Sequence, residues 1–302
     1  MKKIPLPFAL DVAKPFFATQ QTESFNANGL HIVGFCYDGT TSFRPGSRFG
    51  PDALRDASFG LETYSPYLDK DIEHYNIWDM GNIPFYPSRQ DILHDLFAKM
   101  TSEIQLKSDH IKLLTLGGEH SISYCPIKLY LEQYPNLVLL HLDAHTDLRE
   151  HFMEDPFSHA SVIKRCWKLF GKNHELIQYG IRSGMKEEFE FMKKQGTLKT
   201  SLEELCASLE KIPQDRPIYL TLDLDFFDPA FLPGTGTPEA GGENFHNFMK
   251  ILKILHNKNF VGADIVELAP QIDPTHNSSC FASKVTREVL LALARDEQLR
   301  RD

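Results

Sequence analysis

Short apolar runs rich in branched side chains alternate along this chain with segments whose apolar positions recur every three or four residues. The runs predict strands over 30–37, 112–116, 137–142, 176–181, 218–224 and 260–266. The helical period predicts a helix over 89–106, where Ile92, Leu93, Leu96, Phe97 and Met100 fall on one face. Further helices are expected over 122–134, 158–170, 185–194, 201–209, 244–256 and 278–294, and Pro51 reads as the opening residue of a short helix over 52–57. Strands apolar at nearly every position are buried on both faces. The alternation therefore predicts an α/β fold, a parallel sheet with helices on either side. No repeat or low-complexity linker interrupts it, and residues 1–302 read as a single domain.

Polar clusters stand where three of these strands run out. Glu119 and His120 follow the strand over 112–116. Asp143, His145 and Asp147 follow 137–142. Asp223 and Asp225, continuing to Asp228, close 218–224. Strand alternation would point residues two apart the same way. Ligands of open parallel sheets gather beyond the carboxyl ends of the strands, so these distant residues can converge there. Buried carboxylates without partners cost several kcal/mol each, roughly, and a bound cation removes that cost. Taken singly, each aspartate cluster also reads as a solvated turn with capping carboxylates, and His120 as a satisfied core histidine. Taken jointly, His120, His145, Asp143, Asp147, Asp223 and Asp225 suit two divalent cations sharing bridging oxygens. The hard donor set favours manganese over magnesium, iron, cobalt or zinc. Such a pair lowers the pKa of a shared water towards ~7, which points to hydrolysis without a nucleophilic Ser or Cys.

Composition narrows the partners. The formal net charge of −9 disfavours nucleic acid and suits a small cationic substrate. Five scattered cysteines with no Cys-x-x-Cys pair indicate free thiols and a reducing compartment, hence the cytoplasm. No apolar run approaches the roughly 20 residues that span a bilayer, so no membrane partner is expected. Two loops rich in glycine and proline, over 38–51 and 233–242, are candidate walls of a substrate pocket. The charged ends, Lys2 with Lys3 and the run over 295–302, read as solvated. Trp78 and the phenylalanines read as core, with Phe226 and Phe227 packed beneath the third cluster.

The clusters over 117–121, 143–147 and 221–229 resemble the three signature regions of the ureohydrolases, the arginase/agmatinase family, and the likeness runs from about residue 30 to 290. The loop Thr40-Thr41-Ser42-Phe43-Arg44-Pro45-Gly46-Ser47-Arg48-Phe49-Gly50-Pro51, the stretch 61–66, Gly180-Ile181-Arg182-Ser183 and the run over 233–239 resemble the agmatinase branch. The resemblance implies a three-layer α/β/α fold with a mostly parallel, eight-stranded sheet and two Mn2+ per subunit. His120, Asp143, Asp147 and Asp223 would hold one ion, and Asp143, His145, Asp223 and Asp225 the other. It further implies Asp147 as proton relay, His159 as a mobile proton shuttle helped by an ordinary pKa of about 6.5, Glu267 as the guanidinium anchor, and a homo-oligomer (trimer or hexamer).

Cleavage of agmatine to urea and a diamine is the expected reaction, since the stretch Leu148-Arg149-Glu150 departs from the polar neutral residues that meet a substrate carboxylate in arginases. Glu150 and Glu239 are candidates to meet the distal ammonium, set against the plainer reading of both as solvated loop charges. Guanidinobutyrate, arginine and formiminoglutamate remain alternative substrates, and a metal-loaded scaffold that binds a partner protein remains the non-enzymatic alternative.

Overall fold

The computed structural model describes residues 2–86 and 89–300. Its strands in chain order are β1 (Lys3–Pro5), β2 (Gln20–Gln21), β3 (Ser24–Asn26), β4 (Leu30–Phe35), β5 (Tyr64–Ser65), β6 (Lys70–Asp71), β7 (Ile77–Ile83), β8 (Lys112–Gly117), β9 (Val138–Leu142), β10 (Glu175–Tyr179), β11 (Leu198–Lys199), β12 (Ile218–Asp223) and β13 (Phe260–Val266). The helices are α1 (Gly50–Ser58), α2 (Gln90–Thr101), α3 (Tyr124–Gln133), α4 (Val162–Trp167), α5 (Lys186–Gln195), α6 (Leu202–Lys211), α7 (Phe245–His256) and α8 (Asn277–Leu293).

Nine strands form one sheet in the order β11-β10-β9-β12-β13-β8-β4-β7-β2, every neighbouring pair parallel. The expected architecture holds, with nine strands in place of eight; β2 and β11 are two-residue edges. Successive residues of one strand serve opposite layers. Ile218, Leu220 and Leu222 of β12 pack with Leu205 and Leu209 of α6, Ile251 and Leu252 of α7 and Val285 and Val289 of α8. Tyr219, between them, joins Leu93 and Phe97 of α2, Ile127 and Leu131 of α3 and Ile163 of α4 on the other side. Each fully buried leucine in these layers contributes about 1.5–3 kcal/mol.

The six strands read from the sequence form within two residues of their expected ends. β7 was not expected. Its Asp79 and Asn82 are polar yet buried, because the fully buried Arg55 of α1 spans both, with Nε and Nη2 at 2.9 Å from the Asp79 carboxylate and Nη1 at 2.6 Å from Asn82 Oδ1. An internal ion pair here replaces the apolar signature of a strand. The described charged ends are mostly solvated as expected, with Lys2, Lys3, Asp296 and Glu297 exposed, and each end has an anchor. Lys2 pairs with Asp109 at 2.7 Å, and Arg295 donates to the carbonyls of Leu255 and Lys258. Arg301 and Asp302 lie outside the described residues. No described helix is long and apolar enough to cross a membrane.

Candidate metal centre and substrate cavity

β9, β12, β13 and β8 are neighbours in the sheet, and the residues that follow them meet at one rim. β12 and β13 arrive last in sequence and fill the gap between β8 and β9. That gap is a topological switch point, where an α/β sheet opens a crevice. After β8 the chain passes Gly118 under the carbonyl of Tyr37, where a Cβ would lie 1.9 Å from that oxygen. Only glycine fits, and His120 can then begin the 3-10 turn His120–Ser123.

Strand alternation is not what aligns the second and third clusters. β9 ends at Leu142, and Asp143 turns back to accept the His145 amide on Oδ1 at 2.6 Å. Asp147 sits in the left-handed region at φ 52°. Asp223 ends β12 and caps the turn Leu224–Phe226 by accepting the Asp225 amide at 2.8 Å. Left-handed backbone at a residue with a Cβ costs on the order of 1–2 kcal/mol. Glu267, at φ 70°, carries the same strain, held by its amide bond to Gly118 O at 2.8 Å.

His120 Nδ1 faces carboxylate oxygens of Asp143 (3.0 Å), Asp147 (3.1 Å) and Asp223 (3.3 Å). It is buried and has no hydrogen bond of acceptable geometry to any of them. The other ring nitrogen, Nε2, lies 2.9 Å from Thr221 Oγ1, whose proton goes to Asp264 at 2.7 Å. That relay places a ring proton on Nε2, so Nδ1 is the nitrogen that a cation among the three carboxylates would take in place of a proton. His145 Nδ1 stands 3.0 Å from Asp225 and 3.6 Å from Asp143. Asp143 thus faces both histidines, with Oδ2 towards His120 and Oδ1 towards His145.

Protonation follows from this crowding. Burial opposes a charge on His120, but Asp143, Asp147 and Asp223 outweigh it and hold its pKa well above the usual imidazole value. Burial likewise opposes the charge of His145, and Asp225 and Asp143 nevertheless push it up to about 12. Burial and the neighbouring carboxylates Asp225 and Asp143 raise Asp223. Burial, then repulsion from Glu119, raises Glu267. Against burial, His141, His120 and His145 hold Asp143 well below the carboxylate range. The cluster carries more negative charge than its histidines neutralise, and protons fill places that cations would take.

Beside it opens a cavity of about 270 Å³ lined by His120, His145, Asp147, His159, Asp223 and Glu267, with Ser42, Phe152, Met185 and Thr237 around the wall. All three residues expected to act on substrate therefore border one space. Glu267 Oε1 accepts the His120 amide at 2.8 Å. His159 stacks edge-on against Phe152, with ring centres 5.6 Å apart. Arg44 ties the two glycine-rich loops together by donating to the carbonyls of Thr235 (2.7 Å) and Gly236 (3.1 Å).

The sequence profile of the arginase family matches residues 28–292. The chain belongs to the arginase family. An agmatinase of Bacillus cereus is 42% identical over 272 residues, 89% of this chain and 93% of that protein. The N(1)-aminopropylagmatine ureohydrolase of Thermococcus kodakarensis is 34% identical, covering 81% of this chain and 84% of that one. The structure of proclavaminate amidino hydrolase from Streptomyces clavuligerus superposes with a TM-score of 0.82 at 28% identity, covering 94% of this chain and 98% of the other.

Within this arginase-family site, some residues depart from the sequence reading. Glu150 does not line the cavity; it is paired with Lys164 (3.3 Å), Arg165 (2.9 Å) and Lys168. Glu239 lies nearer, its Oε1 4.0 Å from His145 Nε2. Asp228 caps the amides of Ala230, Gly241 and Gly242 and so shapes the 238–242 loop. Phe226 and Phe227 are fully buried as expected, but Phe43 is 70% exposed beside the cavity loop and Phe152 forms cavity wall. His141 was passed over as part of an apolar strand, although it stands two residues before Asp143. Its Nε2 is 2.7 Å from Asp143 Oδ2, and its Nδ1 accepts from Gln178, whose amide is oriented by Thr197.

Proposed function

We propose that the protein hydrolyses the guanidinium group of agmatine, giving urea and putrescine, with two manganese ions held by His120, Asp143, Asp147, Asp223, His145 and Asp225. The observation that carries this reading is the orphaned Nδ1 of His120 within 3.3 Å of three carboxylates, next to a cavity that also holds Glu267. When bound, the metal pair supplies a water acidic enough to attack at neutral pH.

The chain's own residues do the rest. Glu267 presents a carboxylate to the planar guanidinium, which stays protonated near neutral pH and matches a carboxylate with two parallel N–H donors. Its strained backbone and its bond from the His120 amide fix where the carboxylate points, and so where the substrate carbon rests. Asp147, in contact with both His120 and the cavity, takes the proton released as water adds to that carbon and delivers it to the departing amine nitrogen. His159 exchanges protons between the cavity and solvent. Met185 and Phe152 supply apolar wall for the methylene chain. The names of the Bacillus cereus and Thermococcus kodakarensis relatives support a linear guanidino substrate with a cationic tail. A homo-oligomer, trimer or hexamer, in the cytoplasm belongs to the same reading.

The test is urea release by the manganese-loaded protein from agmatine beside arginine, guanidinobutyrate and formiminoglutamate. Agmatine is expected to be turned over fastest. Faster release from another guanidino compound would reassign the substrate, and release from none would remove the enzymatic reading.

A further inference from the structure

Glu119 is completely buried, lies next to the ligand His120, and is not itself within reach of the metal cluster. Four donors converge on it: the amide of Thr40 (2.8 Å) and the hydroxyls of Thr40 (2.6 Å), Thr41 (3.2 Å) and Ser121. These fill the acceptor capacity of an ionised carboxylate. The first loop of the cavity is thereby pinned to the turn that follows the carboxyl end of β8, and Asp38 and Arg44 fix it at two more points.

The Thr40 hydroxyl has one proton and two lone pairs. Its proton goes to Glu119, the shortest of its contacts. One lone pair accepts the backbone amide of His159 at 3.0 Å. The second faces His159 Nδ1 at 3.3 Å. With its proton already committed, Thr40 can only accept from that nitrogen, so Nδ1 must carry the hydrogen. On the far side of the ring, Nε2 lies 3.3 Å from Ser42 Oγ at the cavity wall.

We infer that Thr40, charged with its orienting role by Glu119, is a positioning residue that holds His159 in the Nδ1–H tautomer and leaves Nε2 as the basic nitrogen on the cavity side. This rests on the reading of His159 as the proton shuttle. It makes the loop more than a wall: the loop sets which nitrogen of the shuttle is open to take a proton.

The test uses the full-length protein with 15N-labelled histidine, metal-free, and long-range proton–nitrogen spectra at mildly alkaline pH. The His159 signals are identified by their loss in His159→Gln. The wild type is expected to show the Nδ1–H pattern, Thr40→Ser to keep it, and Thr40→Val to lose it in favour of Nε2–H. In the manganese-loaded enzyme, Thr40→Val should lower kcat on agmatine about tenfold with KM within about twofold, and Thr40→Ser should recover it. An Nε2–H wild type, or a Thr40→Val spectrum identical to wild type, overturns the inference. His159→Gln turning over at the wild-type rate would instead refute the shuttle role while leaving the tautomer result standing, so the two failures are told apart.

Discussion

Asp264 touches no substrate and is not one of the proposed ligands, yet replacing it with asparagine should weaken metal binding. Its carboxylate accepts three hydroxyls, from Ser123 (2.8 Å), Thr221 (2.7 Å) and Tyr219 (2.8 Å), and it is completely buried. Thr221 in turn accepts the Nε2–H of His120. Asparagine with its NH2 in the Oδ2 place leaves the Tyr219 hydroxyl without its acceptor, and its neutral carbonyl at Oδ1 holds the Thr221 proton less strongly than the carboxylate, so the relay to His120 loosens. The lost bond costs about 1–3 kcal/mol in the metal-free protein. Freed to change tautomer, His120 should bind metal about 10- to 100-fold more weakly, the usual penalty for losing a ligand's supporting partner. In excess metal that is about 1.4–2.7 kcal/mol less stabilisation. For a chain of this length, with an unfolding entropy near 0.6 kcal/mol per degree, the Tm gain on adding manganese should shrink by about 2–4 °C. Calorimetric titration with manganese measures the affinity directly, and paired melts measure the linked stability. Thr221→Val breaks the same relay one link nearer and should act in the same direction. If both variants bind manganese as the wild type does, the relay does not govern the metal site.

Other outcomes follow from the same geometry. Glu267→Gln should lower kcat/KM for agmatine by about 2–4 kcal/mol, roughly 30- to 1000-fold, since a charge-assisted pair becomes a neutral one; steady-state urea release reads this. In the metal-free protein, the raised pKa of His145 contributes stability that is complete below about 6.5 and is lost as pH rises towards 12, and the raised pKa of Asp223 likewise favours lower pH. Metal binding displaces those protons, so the Tm gain from manganese should be larger at pH 8.5 than at pH 6; an equal gain at both would contradict the protonation assigned to the cluster. Arg55→Met should destabilise the fold by about 3–5 kcal/mol by leaving Asp79 buried and unpaired, measured by denaturant unfolding. Glu150→Gln should leave KM for agmatine unchanged, because its carboxylate is engaged with Lys164, Arg165 and Lys168 outside the cavity.

Much of this architecture is written in local pattern. The continuous apolar runs of β8, β9, β12 and β13 are legible because each is buried on both faces. The six proposed ligands are legible because carboxylates and imidazoles stand directly after those runs. β7 was hidden by polar residues whose partner, Arg55, lies in another element. His141 was hidden the opposite way: a polar residue inside an apolar run looks like noise until Asp143 and Gln178 are seen on either side of it. Thr40 could not be distinguished from other loop hydroxyls, since its significance depends on Glu119 and on His159, 119 residues away. Of the two readings open for Glu150, the loop charge holds, because its carboxylate turns to the lysines and arginine of a neighbouring helix, which spacing along the chain does not reveal.

The order of strands across the sheet has a bearing on biosynthesis. β8 and β9 flank a space that stays open until the chain has been made through β12 and β13. Until then a nascent polypeptide displays two unfinished sheet edges and four of the six proposed ligands, with Asp223 and Asp225 still to come. The two strands that seal the sheet are followed by the last residues of the proposed metal site, so that site can be completed only after nearly the whole domain has been synthesised.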